Sequence, residues 1–399
     1  MTAINKENSK VFLLTLLGML SAFGPFVTDM YLPSLPAMAD YFSASLPMVQ
    51  MGLTTSMIGL ALGQIFFGPL SDKYGRRPLL LVSMLLFIVS TLFCLFAPDI
   101  YSFVTLRLIQ GIAGAGGIVI SRSVAIDKFS GKELAKMLAV IGAINGVAPV
   151  AAPVIGGLLT GSVGWQGIFM ILLFIGILLG IGCIRFKESL PAEKRSKTGV
   201  WATFRSFGII VHNRRYMLYV FQLAFAQGIL FAYIASSPFI IQQHYGFSPF
   251  AFSICFAVNA VAIGVAAALS VKFRRTENGT LTGCVGMLVF AVLQMAALYS
   301  GCGFWTYELL MFALLFMMGL TFTASTTLAM DCERRYAGAA SALLGALCFA
   351  SGGIVSPLVG LGDILISTGV TFVICAVCSL LCALWAVKRT GPKVALCRI

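Results

Sequence analysis

The sequence contains twelve separate runs of mainly apolar residues, each close to the roughly 20 residues that a helix needs to cross a bilayer. Backbone groups in lipid must be satisfied internally, and runs of this length satisfy them as helices. We therefore expect an all-α polytopic membrane protein with twelve transmembrane helices. The runs are approximately Val11–Tyr31, Met48–Leu70, Leu79–Ala97, Tyr101–Ser121, Met137–Thr160, Trp165–Ile184, Tyr216–Ile241, Pro249–Val271, Leu281–Ser300, Phe304–Met330, Ala337–Gly362 and Ile364–Val387.

Composition agrees, because 59% of the residues are hydrophobic and only 10% are charged, which no soluble domain could cover. One long polar stretch, Arg185–Arg215, separates six runs from six. The segment Ala152–Gly156 (APVIG) also has an echo in Ser356–Gly360 (SPLVG), 204 residues later. We expect two pseudo-symmetric six-helix bundles. The predicted domains are 1–185 (N-terminal bundle), 186–215 (cytoplasmic linker), 216–390 (C-terminal bundle) and 391–399 (cytoplasmic tail).

The distribution of charge predicts the orientation. All but one of the 27 Lys and Arg residues fall in loops on the side that holds both termini, so the positive-inside rule makes that side the cytoplasm. The net charge of +13 alone would suggest nucleic-acid binding, but the positions of the basic residues argue against it. We expect a multi-pass protein of a bacterial inner membrane with both termini in the cytoplasm. A cleaved signal peptide ending at Ala37–Ala39 is an alternative, but the apolar run before it is too long and contains Asp29.

The turn between the second and third runs, Gly68–Pro78, has the sequence GPLSDKYGRRP. Glycines allow close helix approach and a tight reversal, and the charges can bridge helix ends; an ordinary basic loop is the alternative. The segment resembles motif A of the major facilitator superfamily, GxLxDxxGRR. The resemblance implies a conformational latch with an acidic partner after the fourth run, Asp127 first and Glu133 second. Its predicted residues are Gly68, Asp72, Gly75, Arg76, Arg77 and Asp127.

Two charged residues lie inside the first bundle's apolar runs, Asp29 in the first and Arg107 in the fourth. A guanidinium in the bilayer is normally paired or faces a wet cavity; snorkelling towards Asp99 is the alternative. Burial favours the neutral acid and a neighbouring guanidinium favours the carboxylate, so a small movement could change the protonation of Asp29. We predict that Asp29 and Arg107 couple protons to transport; a purely structural ion pair is the alternative.

Both residues also lie in recognisable surroundings. The segment from Arg107 to Gly116 resembles motif B of the same superfamily, RxxQGxxxA, and Asp29–Pro36 is similar to the end of helix one in the Bcr/CflA branch of drug:proton antiporters. Some members carry a second carboxylate two turns earlier, where this chain has Ser21. Glu308 and Asp331 are the next carboxylates in line for coupling.

The fifth run resembles the antiporter motif C, GxxxGPxxGG, although alanines replace both leading glycines at Ala148 and Ala152. A Pro-kinked face of small residues lets helices slide without stranding backbone groups. We predict a hinge formed by Pro149, Pro153, Gly156 and Gly157.

Embedded polar side chains are the candidates for a substrate cavity, and for each one the alternative is a bond to a neighbouring helix. Phe, Met and small residues dominate the remaining positions, which suits loosely specified apolar ligands. The cavity candidates are Tyr31, Gln110, Asn145, Gln222, Gln227, Tyr233 and Asn259.

These features together predict a proton-coupled multidrug efflux transporter that exports small, largely apolar compounds by alternating access. The alternative is a proton-coupled symporter or an exporter of a specific metabolite on the same fold. An enzyme is disfavoured because the sequence has no HExxH, DDxxD, GxSxG or Walker A motif. We expect a monomer in the lipid bilayer that binds protons and a drug-like small molecule, with no cofactor, no metal and no nucleic acid.

Overall fold

A computed structural model describes residues 8–195, 207–333 and 337–388. These residues form long α-helices joined by short turns. A 3-10 turn lies at Leu32–Ser34, and a π-helical turn at Ile240–His244 follows directly after the helix that ends at Phe239. The main helices are α1 Lys10–Asp29, α2 Leu35–Tyr41, α3 Leu46–Tyr74, α4 Arg76–Leu95, α5 Ile100–Lys128, α6 Gly131–Arg185, α7 Arg214–Phe239, α8 Pro249–Ser270, α9 Thr276–Tyr299, α10 Phe304–Cys332, α11 Ala337–Leu358 and α12 Ile364–Lys388.

Helix α6 contains two of the predicted spans. It is 55 residues long and breaks at Gly164, where φ is +67° and ψ is −172°. The predicted fifth and sixth runs lie on either side of this glycine, which adopts a backbone conformation that L side chains rarely take. Within the described residues, eleven helical stretches are long and apolar enough to span a membrane. Helix α6, which contains two predicted spans, contributes one of these stretches, Val147–Arg185. The prediction of an all-α polytopic membrane protein is confirmed.

Several helices begin where a side chain accepts a hydrogen bond from one of the first free backbone N–H groups. Ser9 caps α1 by accepting from Phe12, Asp99 caps α5 by accepting from Ser102, and Ser248 caps α8. Such caps stabilise a helix end by about 1 kcal/mol. Large apolar side chains such as Phe93 and Phe174 stay exposed, which is the expected appearance of a lipid-facing surface.

Contacts between helices divide the chain into two compact units. The first contains the described residues of 1–34 and 55–203, and the second those of 35–54 and 204–399. Residues 35–54, which form α2 and the start of α3, group with the second unit, whereas the predicted domain boundaries put them in the N-terminal bundle. The predicted boundaries at 185 and 216 stay a prediction, and the predicted tail lies outside the described residues.

Each unit has its own core. In the first, α1, α4, α5 and α6 enclose a cluster that includes Leu17 and the ring pair Phe23–Phe87, whose centroids are 4.2 Å apart. In the second, Tyr216 is fully buried and donates to the carbonyl oxygen of Ala340 at 2.6 Å. Because most of the long helices pack within a single unit, the polar side chains described below have defined neighbours.

Candidate functional site

The latch residues meet around the Arg76 side chain, which is only 6% exposed. One terminal nitrogen donates to Asp72 Oδ1 at 2.5 Å and to Ser71 Oγ at 2.7 Å, and Nε donates to Asp127 Oδ2 at 2.9 Å. Charge-assisted hydrogen bonds of this kind are the strong ones. The structure therefore brings together Asp72, Arg76 and Asp127, and their role in transport stays a prediction. Glu133, the second candidate partner, instead accepts from Lys10 at 2.6 Å.

Glu188, which was not predicted from the sequence, binds the start of α4, although it lies 112 residues after Arg76 in the chain. Its two carboxylate oxygens accept from the backbone N–H groups of Arg76 at 2.9 Å and Arg77 at 3.1 Å. A negative charge at a helix N-terminus is favourable, and these two N–H groups have no partner within the helix. Gly75 makes the approach possible, because its φ is +103° and a Cβ there would lie 2.5 Å from Glu188 Oε2.

The other two latch residues have separate roles. Arg77 donates from its guanidinium to the carbonyl oxygen of Ile184 at 2.8 Å, which ties α4 to the end of α6. Gly68 does not create the close helix approach that we expected, because a Cβ there would make an ordinary contact with Val119 at 3.6 Å. The close approach lies further up α3 at Gly59, where a Cβ would overlap the carbonyl oxygen of Leu108.

Replacing Arg76 by Ala is expected to leave the protein inserted but to slow turnover by about tenfold or more, since each lost charge-assisted bond contributes about 1.5–3 kcal/mol. Apparent substrate affinity should change less than the rate. Lys73→Ala is the matched control, because it removes a positive charge from the same turn without touching Asp127. Initial transport rates over a range of substrate concentrations measure both quantities. Wild-type turnover in Arg76→Ala would remove the latch from the account.

Arg107 is fully buried, so the snorkelling alternative does not describe it. One terminal nitrogen donates to the carbonyl oxygen of Val27 at 2.9 Å, and the other donates to Gln110 Oε1. The guanidinium carbon also lies 4.4 Å from the ring centroid of Tyr31 and 5.7 Å from that of Phe169. Stacking of a desolvated guanidinium on aromatic faces is favourable by about 2 kcal/mol. The cation is thus held by a backbone oxygen, an amide and two rings.

Asp29 is the last residue of α1 and is 6% exposed. The Thr28 hydroxyl lies 2.8 Å from Asp29 Oδ1 and 3.0 Å from the Gly24 carbonyl oxygen, so its single proton can serve either acceptor. Arg107 therefore contacts the chain on both sides of Asp29, at Val27 within α1 and at Tyr31 two residues beyond the helix end. A direct ion pair between Asp29 and Arg107 stays a prediction.

The predicted hinge touches the same end of α1. Pro149 and Pro153 lie inside α6, and a Cβ on Gly156 would overlap the backbone carbonyl of Met30, the residue after Asp29. Backbone atoms cannot move aside as a flexible side chain can, so this contact requires glycine. Gly157 is buried beside it. Hinge motion stays a prediction, while the contact gives the motif-C segment a defined structural role beside the candidate coupling residue.

Gly156→Ala is expected to lower the free energy of unfolding by about 1–3 kcal/mol, the usual effect of overpacking, and to displace the end of α1. Gly161→Ala is the control on the same helix, because no atom lies within 4 Å of its Cβ position. That substitution should be neutral or stabilising, since alanine favours a helix over glycine by up to about 1 kcal/mol. Thermal unfolding of the purified variants checks this. Equal unfolding temperatures in both would show that the Met30 contact is dispensable.

The remaining cavity candidates divide into bonded and unbonded groups. Gln110 donates from Nε2 to Thr91 Oγ1 at 2.6 Å, and Gln222 donates to Ser379 Oγ at 3.1 Å, so these two amides follow the alternative reading of helix-to-helix bonds. Within the described part of the chain, Gln227 Oε1 is a buried polar atom without a hydrogen-bond partner, whereas the Tyr31 ring lies against the Arg107 guanidinium. The Asn145 side chain lies outside the described residues.

The last two candidates, Tyr233 and Asn259, lie together in the second unit with Glu308. Asn259 Nδ2 lies 3.0 Å from the Tyr233 hydroxyl oxygen and 2.8 Å from Glu308 Oε1. The Tyr233 ring stacks on Phe256 with centroids 5.5 Å apart and an interplanar angle of 18°. Each unit thereby contains a carboxyl group among packed helices, the buried Asp29 in the first and the partly buried Glu308 in the second.

The chain is similar to known transport proteins over most of its length. The sequence profile of the Major Facilitator Superfamily matches residues 14–357. The uncharacterized MFS-type transporter YdgK of Bacillus subtilis (strain 168) is 39% identical over 355 residues, covering 87% of this chain and 88% of the relative. The bicyclomycin resistance protein homolog of Haemophilus influenzae is 30% identical over 370 residues, covering 89% and 90%. A chloramphenicol resistance protein of Pseudomonas aeruginosa is 27% identical over 307 residues, covering 74% and 70%.

Solved structures share the fold. A bacterial homolog of the human lysosomal transporter Spinster superposes with a TM-score of 0.77 at 18% identity, covering 96% of this chain and 99% of that one. The xylose transporter XylE of E. coli gives a TM-score of 0.72 at 15% identity, with 96% and 98% covered. Together with the profile match, the helical architecture and the motif-A cluster around Arg76, these similarities identify the chain as a membrane transporter, not an enzyme, and a member of the Major Facilitator Superfamily.

Proposed function

We propose that the protein is a proton-coupled multidrug efflux transporter that exports small, largely apolar compounds by alternating access. The observation that carries the proposal is the buried Asp29 carboxyl at the end of α1, with Arg107 contacting the chain on either side of it at Val27 and Tyr31. A protonatable group held inside the membrane is a functional site by default. Relatives whose names refer to bicyclomycin and chloramphenicol resistance support efflux of such compounds.

The chemistry of the proposed cycle follows from the two states of Asp29. As a carboxylate it attracts the nearby guanidinium and the Thr28 hydroxyl; as a neutral acid it attracts both less. The Thr28 hydroxyl keeps its proton and can then redirect its hydrogen bond to the Gly24 carbonyl oxygen, 3.0 Å away. The end of α1 is released on one side while Arg107 keeps its bonds to Val27 and Gln110. Binding of a proton from outside and its release inside would alternate these two states.

The substrate class follows from the same residues. Ser21, which stands where some relatives carry a second carboxylate, donates to the Gly18 carbonyl oxygen at 2.8 Å and presents no charge. Asp29 is committed to proton exchange in this account, so the described part of the first unit's predicted spans offers no second carboxylate to a strongly cationic drug. We therefore propose neutral, largely apolar substrates, carried by a monomer in the bacterial inner membrane with both termini in the cytoplasm.

Inverted membrane vesicles with an acidified interior test the proposal, with chloramphenicol as the probe compound. Efflux by antiport brings the compound into the vesicle as protons leave, so its addition should raise the internal pH in vesicles with wild-type protein and not in vesicles with Asp29→Asn. Lys10→Ala, which breaks only an exposed ion pair, is the control. Internal acidification on addition would instead indicate proton symport, the alternative function.

A further inference from the structure

Glu308, Asn259 and Tyr233 form a polar cluster between α10, α8 and α7, inside the second unit. Glu308 lies one turn after the start of α10, and Asn259 and Tyr233 are at most 1% exposed. Two short contacts join them, 2.8 Å from Asn259 Nδ2 to Glu308 Oε1 and 3.0 Å from Asn259 Nδ2 to the Tyr233 hydroxyl oxygen. The cluster was not expected from the sequence, although each residue was noticed separately.

Two polar atoms of the cluster are not hydrogen-bonded within the described part of the chain. Glu308 Oε2 and Asn259 Oδ1 are buried and, among the described residues, have no hydrogen-bond partner. A carboxylate has about four acceptor positions, and here a single amide N–H serves it. Burial of an incompletely compensated charge costs several kcal/mol, and an ionisable group escapes that cost by becoming neutral.

Among the described residues, the ionisable groups that interact electrostatically with Glu308 supply no positive charge. They are the phenols of Tyr233 and Tyr307 and the thiol of Cys255, with Tyr245 next to Tyr307. Phenols and thiols are uncharged in neutral solution unless specifically activated. Further out, His244 packs against Tyr245 with ring centroids 4.8 Å apart.

Asn259 can serve either protonation state of Glu308. As placed, its NH2 group donates one hydrogen to the carboxylate and the other to the Tyr233 oxygen. If the amide turns by half a rotation, Oδ1 occupies that place and accepts from the Tyr233 hydroxyl and from a protonated Glu308 at the same distances. An amide presents donors and acceptors that are nearly equal in shape, so this exchange needs no movement of the helices.

The helices that carry these groups correspond between the two units along the chain. Helices α1 and α7 begin 204 residues apart, at Lys10 and Arg214, and so do α5 and α10, at Ile100 and Phe304. The same offset aligns Asp29 with Tyr233. Arg107 and Glu308 do not share this offset. In each unit, however, an ionisable residue in the first third of α5 or α10 contacts α1 or α7, Arg107 directly at Val27 and Glu308 through Asn259.

We propose that Glu308, Asn259 and Tyr233 form a second proton-binding site, in which the Glu308 carboxyl takes up and releases one proton while the Asn259 amide turns to match. This proposal deepens the proposed function. It rests on that function only for the coupling of the Glu308 proton to transport. With Asp29, the protein would carry two exchangeable protons, one in each unit.

The test is the infrared difference spectrum of purified full-length protein between mildly acidic and mildly alkaline solution, read at the C=O band of protonated carboxyl groups. We expect Glu308→Gln to lose one component of the band that wild type has, and Asp29→Asn to lose a different one. Tyr233→Phe should shift the Glu308 component, and Glu308→Asp should retain one. Asp363→Asn is the control, because the Asp363 carboxylate accepts from two backbone N–H groups, at 2.8 and 3.1 Å, and should contribute nothing.

A Glu308→Gln spectrum equal to that of Asp363→Asn would overturn the inference. Glutamine keeps an oxygen that can accept from Asn259, so Glu308→Gln should fold. If Glu308→Gln does not fold, the carboxyl component expected in Glu308→Asp provides the test. The two proposals fail separately. If Glu308→Gln loses its infrared component but the wild-type protein moves no protons in the vesicle assay, only proton-coupled efflux is contradicted. If the wild-type protein couples efflux to protons but the Glu308→Gln spectrum is unchanged, only the second site is contradicted.

Discussion

Arg107→Ala is expected to reduce transport to background, by about 100-fold or more, because it strands Gln110 Oε1 and the Val27 carbonyl oxygen inside the first unit. Stranding buried acceptors costs about 1–3 kcal/mol each, and every 1.4 kcal/mol is tenfold. The ring of Tyr31, 4.4 Å from the guanidinium carbon, also loses its cation. Thermal unfolding and transport should both fall. The measurement is transport rate per inserted molecule in reconstituted vesicles.

Arg107→Lys separates charge from geometry. An ammonium is a point donor and cannot reach Val27 and Gln110 on a planar fork while stacking on an aromatic ring, so we expect poor rescue. Lys10→Ala is the control for loss of one positive charge, and an exposed ion pair of this kind contributes at most about 1 kcal/mol. Full activity of Arg107→Lys would mean that any buried cation suffices, and the contacts to Val27 and Gln110 would lose their importance.

Asp29→Asn is expected to abolish concentrative export while leaving the protein folded. Asparagine keeps an oxygen for the Thr28 hydroxyl, so the local hydrogen bond survives and only the proton is lost. One proton entering with a potential of 100 mV and a difference of one pH unit supplies about 3.7 kcal/mol, enough for a gradient of several hundredfold. In cells, drug accumulation should rise to the level of the empty vector. Retained resistance that an uncoupler abolishes would move the coupling group to Glu308 or Asp331.

The cluster around Arg76 could be predicted because most of its residues lie in one short segment that resembles motif A. Gly75 and Arg76 occupy fixed positions in a short turn, and Asp127 was found as the first acid after the fourth run. Glu188 was missed because it lies 112 residues from Arg76 in the chain and on a segment that looked like linker. Its contacts go to backbone N–H groups, which leave no trace in the side-chain pattern.

The surroundings of Arg107 were predicted only in part for the same reason. The sequence suggests a charged partner, whereas the guanidinium donates to the backbone carbonyl of Val27, and every residue has such a group. Gln110 could have been found, since it lies three residues after Arg107 on the same helix face. The contact between Gly156 and Met30 could not, because it depends on how α6 and α1 pack rather than on the spacing within either.

The most direct test of proton coupling through Asp29 uses purified protein in liposomes that contain a pH-sensitive dye and no imposed pH gradient. An outward gradient of chloramphenicol is applied, and proton movement into the lumen is followed with wild type, Asp29→Asn and Lys10→Ala. The account predicts that wild type and Lys10→Ala drive protons against the direction of drug movement, whereas Asp29→Asn exchanges drug downhill with no proton signal. A proton signal in Asp29→Asn equal to that of wild type would contradict it.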